Sequence, residues 1–436
     1  MVFLFGTLFL ASGQSWAAQT PAAQASAQSA AASTQQAYTL PPDKLAKAEA
    51  LGHIRNVMLL VGRVWGLAVL WLLLQTRLAA RLDAWLARRK SPRWVQGLQF
   101  FAILMALTVL ADLPLGIYAQ SVSLQYGISV QSWGSWLLDA AKSLALTLGL
   151  GAPLMLLFHV IVRRAPRRYW LLGWAAAVVL SIMGAYAEPL FEPIFNKFEP
   201  LSKSDPALVA RLEKVVERTG TAIPPERMYL MKASEKTNGL NAYVSGLGPT
   251  KRVVVWDTTA GRIPDDEVLF IFGHESGHYV LNHIPKGVAL SAVGLLLGFW
   301  LCARVAEWLA RRRSAAWLPP ADGEPLLASR TGLMVLLLVF SVGGTVTEPI
   351  SSAVSRHFEH EADIYGQEAI RGLVADPQKS AVEGFNALGA AWLEEPNPNP
   401  FVVFWSYDHP SIQQRATFAA QYDPWKNGGR GEFFAK

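Results

Sequence analysis

Six long apolar runs constrain this chain more than any other feature. They fall near residues 57–76, 97–117, 141–163, 169–187, 286–309 and 329–352. Each is long enough to cross a bilayer as a helix, which takes about 20 residues. One such run alone would also fit a buried core helix. Six in one chain, each flanked by polar or aromatic residues, predict a predominantly α-helical multi-pass membrane protein. Composition agrees, because 52% of the 436 residues are hydrophobic and only 17% are charged. Soluble domains carry roughly 25% charged residues. Such apolar content also excludes disorder for most of the chain. The single cysteine, Cys302, excludes a disulfide framework and a cysteine-based metal or redox site. Any metal must therefore be held by histidine and carboxylate.

The remaining segments divide the chain. Residues 1–17 are signal-peptide-like, with an apolar stretch at 2–13 and small residues before a cleavage point near Ala17. Residues 18–45 read as an Ala/Gln/Ser linker. Four spans fill 46–187. Region 188–285 mixes signals, with an amphipathic helix at 208–218 and short strands at 227–232, 241–246 and 252–258. A helix should start near Pro264–Asp266 with acidic residues in its first turn. Two spans fill 286–352, and 353–436 is a helical C-terminal region.

The net charge of +6 does not point to nucleic acid. Its Lys and Arg sit in short loops between spans: Arg77, Arg81, Arg88, Arg89, Lys90 and Arg93; Arg163, Arg164, Arg167 and Arg168; Arg311, Arg312 and Arg313. By parity all three loops share one side, while 118–140 on the other side has none. The positive-inside rule makes the basic side cytoplasmic. Regions 188–285 and 353–436 then lie outside, which agrees with an exported N-terminus. The expected location is an integral position in a bacterial inner membrane, active site on the periplasmic side.

The chemistry is concentrated in His274-Glu275-Ser276-Gly277-His278, an H-E-x-x-H motif on an expected helix. Histidines four apart share a helix face and suit one zinc ion, and Glu275 is placed to take a proton from the attacking water. A catalytic zinc needs a third protein ligand. His283 is out of register for the longer H-E-x-x-H-x-x-G-x-x-H form and reads as a structural or helix-end residue. The ligand should come from Ser355–Asp363, where Glu359 and Asp363 are four apart. Glu359 then faces the metal, and Asp363 orients a ligating histidine. Spacing alone leaves Glu361 open as the ligand.

These residues, with others in order along the chain, resemble the Ste24 family of integral membrane zinc peptidases, also called CAAX prenyl protease 1, within the M48 peptidases. The resemblance is carried by Tyr126–Ser129 with Asp139 and Lys142, and by Pro193–Phe198. It continues through Asn241-Ala242-Tyr243, Arg252–Thr258, Gly273–His278, Ser355–Asp363, and His409-Pro410 with Arg415. It runs from about residue 57 to residue 420. It implies a helical bundle around a chamber with a small α/β zincin-like catalytic domain. It implies one zinc per chain on His274, His278 and Glu359, with Glu275 as general base. By the same resemblance, Asn241, Ala242 and Tyr243 match an edge strand that pairs with substrate backbone. His409 and Arg415 match residues that stabilise the oxyanion. Asp112, Asp139, Lys142 and Glu348, in or near spans, are expected to face a cavity or a partner. The chain departs from the family pattern at Ser411, where a proline is usual, and at Ser276.

The expected activity is zinc-dependent endoproteolysis of membrane-associated or misfolded proteins. CaaX-type processing of lipidated peptides is the alternative. A transporter or an inactive scaffold is the alternative of another class. The expected partners are a peptide or protein substrate and the lipid bilayer, with no nucleic acid; oligomeric state is not legible.

Overall fold

In the computed structural model, residues 37–318, 326–426 and 428–434 are described. The signal-like segment 1–17 and most of the linker 18–45 lie outside these residues.

The first half is helical: α1 (Pro42–Gln75), α2 (Leu78–Ala87), α3 (Arg93–Gln125), α4 (Trp133–Leu146), α5 (Ala152–Arg164) and α6 (Tyr169–Phe195). A π-helical turn at Thr147–Gly151 joins α4 to α5. Then come β1 (Phe198–Pro200), α7 (Leu201–Ser204), α8 (Pro206–Thr219), β2 (Met228–Met231), β3 (Ala242–Ser245) and β4 (Arg252–Trp256). The chain ends with α9 (Asp265–Val280), α10 (His283–Trp317), α11 (Arg330–Ala369), α12 (Pro377–Trp392), α13 (Pro400–Ser406) and α14 (Ile412–Gln421).

Six helical segments are long and apolar enough to cross a membrane: α1, α3, the α4–α5 unit, α6, α10 and α11. Each overlaps one expected run. Only 11–33% of their most apolar stretches is buried within the protein, so most of that apolar surface faces outward. Leu60, Val293, Leu297 and Ile350 are among the exposed side chains.

The helices overrun the apolar layer. At ~1.5 Å per residue, the 33 residues of α3 reach roughly 50 Å, against a hydrocarbon core of ~30 Å. The loop expected over 118–140 is thereby reduced to a short turn, because α3 runs to Gln125 and Ser132 caps α4 by accepting the Ser135 amide. Ser129 in that turn bridges to Thr237 in the catalytic region.

The Arg-rich connections gather at one end, around a core of Leu74, Leu86, Phe101, Val162, Trp317 and Leu327. There Arg77 donates to the Ala316 carbonyl at 2.8 Å, and Arg330 pairs with Asp83 at 2.5 Å. From this end α11 runs the whole way to the catalytic region.

That region holds a four-stranded sheet in the order β1-β2-β4-β3, parallel between β2 and β4 and antiparallel at both outer pairs. The Val-rich β4 is central and buried, as its unbroken apolar run requires. The three expected strands form, each two residues shorter, and β1 is an addition. α8, α9, α12 and α14 close the core through Leu208, Leu212, Phe270, Phe385 and Ala416. α9 starts after Pro264 with Asp265, Asp266 and Glu267 in its first turn, where the helix dipole favours negative charge.

One difference concerns the linker. Tyr38 is fully buried in this core, its amide donating to Gln413 and its hydroxyl to the Glu394 carbonyl, both at 2.9 Å. α1 begins at Pro42. The end of the 18–45 segment is therefore docked structure. An aromatic ring with a satisfied hydroxyl gains more from burial than a flexible linker gains from solvation.

Candidate active site

The site lies where α9 crosses the far half of α11. The crossing is close because glycines face each other. A Cβ on Gly277 would lie 3.0 Å from that of Tyr365, and one on Gly366 would lie 2.7 Å from the His274 amide nitrogen. Any larger residue would push the helices apart. The second free position of the H-E-x-x-H motif is thus fixed by packing as well as by chemistry.

This crossing brings His274, His278 and Glu359 together. His274 Nε2 lies 3.2 Å from His278 Nε2 and 3.2 Å from Glu359 Oε2, and His278 Nε2 lies 3.4 Å from Glu359 Oε1. Tetrahedral zinc with ~2.05 Å bonds requires donor atoms roughly 3.3 Å apart. The spacing therefore fits that ion without rearrangement. Glu359 Oε2 is also buried and is faced by nitrogens of His274 and His409 at 3.2 Å and of Arg415 at 3.6 Å, a carboxylate oxygen set among cation-seeking donors. Among the described residues this is the one such His/carboxylate group. Glu361 is outside it. Two residues from Glu359, it points about 200° away around the helix and meets His283 instead.

Asp363, one turn beyond Glu359, lies 2.8 Å from His274 Nδ1. That contact turns Nε2 toward the other two donors. Arg415 holds Asp363 with both arms, Nε to Oδ2 at 2.9 Å and an Nη to Oδ1 at 2.6 Å. Its distance to Glu359 Oε2 is 3.6 Å. His409 reaches the opening from the other side, Nε2 3.2 Å from Glu359 Oε2 and Nδ1 2.8 Å from Asp408. Its loop is fixed by Arg356, which donates to the Tyr407 carbonyl at 3.0 Å. Ser411 has a positive role here. It forms a capping box with Gln414 at the start of α14, and its own amide donates to the Gln414 side chain at 3.0 Å. A proline has no amide to give.

Glu275 is half-buried beside the cluster, and the Val244 backbone hydrogen-bonds to its carboxylate. Burial foremost, then the Glu359 charge, hold its carboxyl above the usual range. His274 and His278 move in opposite directions. Burial alone would lower both. For His274, hydrogen bonds to Asp363 and Glu359 prevail and push it up to about 10. For His278, burial and the neighbouring His274 charge push it down to about 3. His409 is raised to about 9, against burial, by Glu359 and Asp408.

β3 is an edge strand beside α9. Tyr279 clips the two together, its hydroxyl donating to the Gly246 carbonyl at 2.8 Å and the Val244 carbonyl at 3.3 Å. Asn241 precedes β3. Its carbonyl accepts from Trp256 at 3.1 Å and its amide donates to Thr259 at 2.8 Å, so its backbone is occupied within the sheet. The Tyr243 ring points the other way, its hydroxyl on Glu192 at 3.1 Å. By strand alternation, Ala242 and Val244 turn their backbone groups away from β4, where those of Val244 meet Tyr279 and Glu275. Glu192, at the end of α6, also pairs with Arg252. Of the charges expected near cavities, Asp139 meets Lys142 at 3.4 Å and Lys236 at 2.5 Å, and Glu348 pairs with Arg63.

Sequence reasoning did not find the contacts of His283, Tyr279, Arg356 or Glu192. His283 meets His278 five positions away; the other contacts join residues 33 to 78 positions apart, and no local pattern encodes them.

Comparison with known proteins bears on the whole chain. Residues 202–422 match the family model described as Peptidase family M48. Residues 23–197 match a second, CAAX prenyl protease N-terminal, five membrane helices. Among the described residues, this chain has four membrane-length helical segments there. The chain is 32% identical over 382 residues to the uncharacterized metalloprotease YhfN of Bacillus subtilis, covering 87% of this chain and 86% of that protein. It is 27% identical over 333 residues to CAAX prenyl protease 1 of Saccharomyces cerevisiae, covering 74% and 71%. The crystal structure of S. mikatae Ste24p superposes with a TM-score of 0.73 at 23% identity, over 87% of this chain and 90% of that one. The helical bundle with a small sheet, the histidine–carboxylate cluster and both family matches lead to one assignment: this chain belongs to peptidase family M48 and is a membrane metalloprotease of the Ste24 type.

Proposed function

We propose that the chain holds one zinc ion on His274, His278 and Glu359 and hydrolyses internal peptide bonds of membrane-associated or misfolded envelope proteins. The observation that carries this reading is the donor spacing of 3.2–3.4 Å among buried His274 and Glu359 and partly exposed His278. Bound there, zinc supplies the Lewis acidity that makes water a nucleophile at neutral pH and polarises a carbonyl.

The chain's own residues do the rest. A substrate segment adds to the free edge of β3 through the backbone of Ala242. Asn241 and Tyr243 serve by holding that edge in the sheet. Glu275, held by the Val244 backbone, takes the proton of the attacking water and returns it to the leaving amine. His409 donates from Nε2 to the oxygen on which charge develops. Arg415 keeps Asp363 ionised and aimed at His274 Nδ1, so its part in the reaction is to orient a ligand.

The Arg-rich end lies away from this site along α11, which supports a periplasmic active site in a bacterial inner membrane. Similarity to the yeast protein named CAAX prenyl protease 1 favours a second substrate, the lipidated C-terminal peptide.

The test uses detergent-purified full chain and Glu275→Gln, each given an unfolded protein and a farnesylated CaaX peptide. The expected result is cleavage by wild type that a chelator stops, with Glu275→Gln metal-loaded and inactive. Which substrate is cut decides between the two. Cleavage by Glu275→Gln at the wild-type rate would sink the assignment of the base.

A further inference from the structure

We infer that His283 and Glu361 form a relay that fixes the ring of His278, matching on the second histidine what Asp363 does for the first. This rests on the proposed metal reading of the cluster.

His283 opens α10, just after Asn282 turns the chain with a positive φ of 59°. That sharp turn folds its ring back toward α9. The ring is 3% exposed and stacks on Phe358, with centroids 4.5 Å apart and planes 9° from parallel. Phe358 adjoins Glu359, so the stack ties the ring plane to the helix that carries the third ligand. His283 Nδ1 lies 3.1 Å from His278 Nδ1, and His283 Nε2 lies 3.0 Å from Glu361 Oε2.

The protons can be arranged in only one productive way. His278 turns Nε2 to the donor cluster, so a ligating His278 carries its proton on Nδ1. It must then donate to His283 Nδ1, which has to be an unprotonated acceptor. The one remaining ring proton of neutral His283 sits on Nε2 and donates to the Glu361 carboxylate. Every group is satisfied and the tautomers of both rings are fixed. Three carboxylates of α11 thus act on one centre in three ways: Glu359 directly, Asp363 through His274, and Glu361 through His283 and His278. A packing residue needs none of this directionality. Partners of this kind set metal affinity because they hold the ligand ring in place.

The experiment measures zinc affinity by chelator competition on the full-length protein in detergent, with thermal midpoints of the metal-free forms alongside. His283→Phe keeps the stack and the volume but removes both nitrogens. It is expected to weaken zinc binding about 10–100-fold while the metal-free midpoint stays near wild type. Glu361→Ala should weaken binding too, and Glu361→Gln, whose amide oxygen still accepts from Nε2–H, should fall between Ala and wild type. The double variant His283→Phe/Glu361→Ala should bind no more weakly than His283→Phe alone, since both break one chain of contacts. If His283→Phe does not fold, the Glu361 pair decides: Gln above Ala supports the relay, and Gln equal to Ala overturns it. Affinities of His283→Phe and Glu361→Ala both within about twofold of wild type would overturn the relay and leave the metal site standing. A wild type that takes up no zinc would overturn both.

Discussion

The membrane bundle and the catalytic region use the same apolar residues against two different solvents. In the catalytic region, Phe270 and Phe385 are buried and meet edge to face, with ring centroids 5.0 Å apart. Water drives such side chains inward, and each removal leaves a cavity. In the bundle, Leu297 is 66% exposed and Val293 65% exposed. Lipid is as apolar as leucine, so these positions have no hydrophobic reason to turn in. Charge follows the opposite pattern. Glu359, Asp363, Arg415 and His274 are all buried where α11 leaves the bundle and enters the catalytic core. The lesson is that the bundle supplies a rigid post, and the water-facing core supplies the packing pressure that holds a polar site together at the top of it.

The comparison is broken most decisively at the seam. Glu275→Gln should cut the rate about 10²–10⁴-fold while leaving fold and metal in place, because it removes only a proton carrier. A turnover assay on metal-loaded protein checks this. Next, Arg415→Ala leaves Asp363 buried without its guanidinium. It should destabilise the catalytic region by about 3–5 kcal/mol, measured by thermal unfolding in detergent. A small loss there would mean that water reaches the site and that it is not the closed polar core described above. Phe270→Ala should cost about 3–5 kcal/mol, against less than about 0.5 kcal/mol for Leu297→Ala in the same detergent. Equal costs would erase the distinction between the two regions.

The smallest effect concerns pH. Glu267, buried in the first turn of α9, is raised to about 7 by burial foremost, then by Glu383 and Asp266. The folded state therefore keeps a proton that the unfolded chain releases at the ordinary carboxylate value. Stability from this group is present below that value and is lost as pH rises through about 7. Glu267→Gln should flatten the decline in thermal midpoint between pH 5 and pH 8, by an amount worth about 1–2 kcal/mol. An unchanged slope would contradict the assignment.

How much of this was legible in the sequence depended on the range of the contact. The six crossings were written as long apolar runs, and the start of α9 as proline followed by acids. Glu359 and Asp363 were legible as a pair because four residues make one helical turn. Glu361 could not be separated from them, since only the angle at which α9 meets α11 tells which face looks inward. His283 was visible as a histidine out of register, but its meaning depends on Glu361, 78 residues away. Tyr38 was hidden for the same reason, because its partners are Glu394 and Gln413. Arg415 was legible only through family resemblance. Its bidentate grip on Asp363 points to orienting a ligand as its part.

If residues from two crossing helices build one metal site, zinc content per chain in purified wild type, Glu275→Gln and Glu359→Ala will reveal it. One zinc is expected in the first two and loss of tightly held zinc in Glu359→Ala, because Oε1 and Oε2 of Glu359 both border the histidine nitrogens. Full zinc occupancy in Glu359→Ala would contradict it.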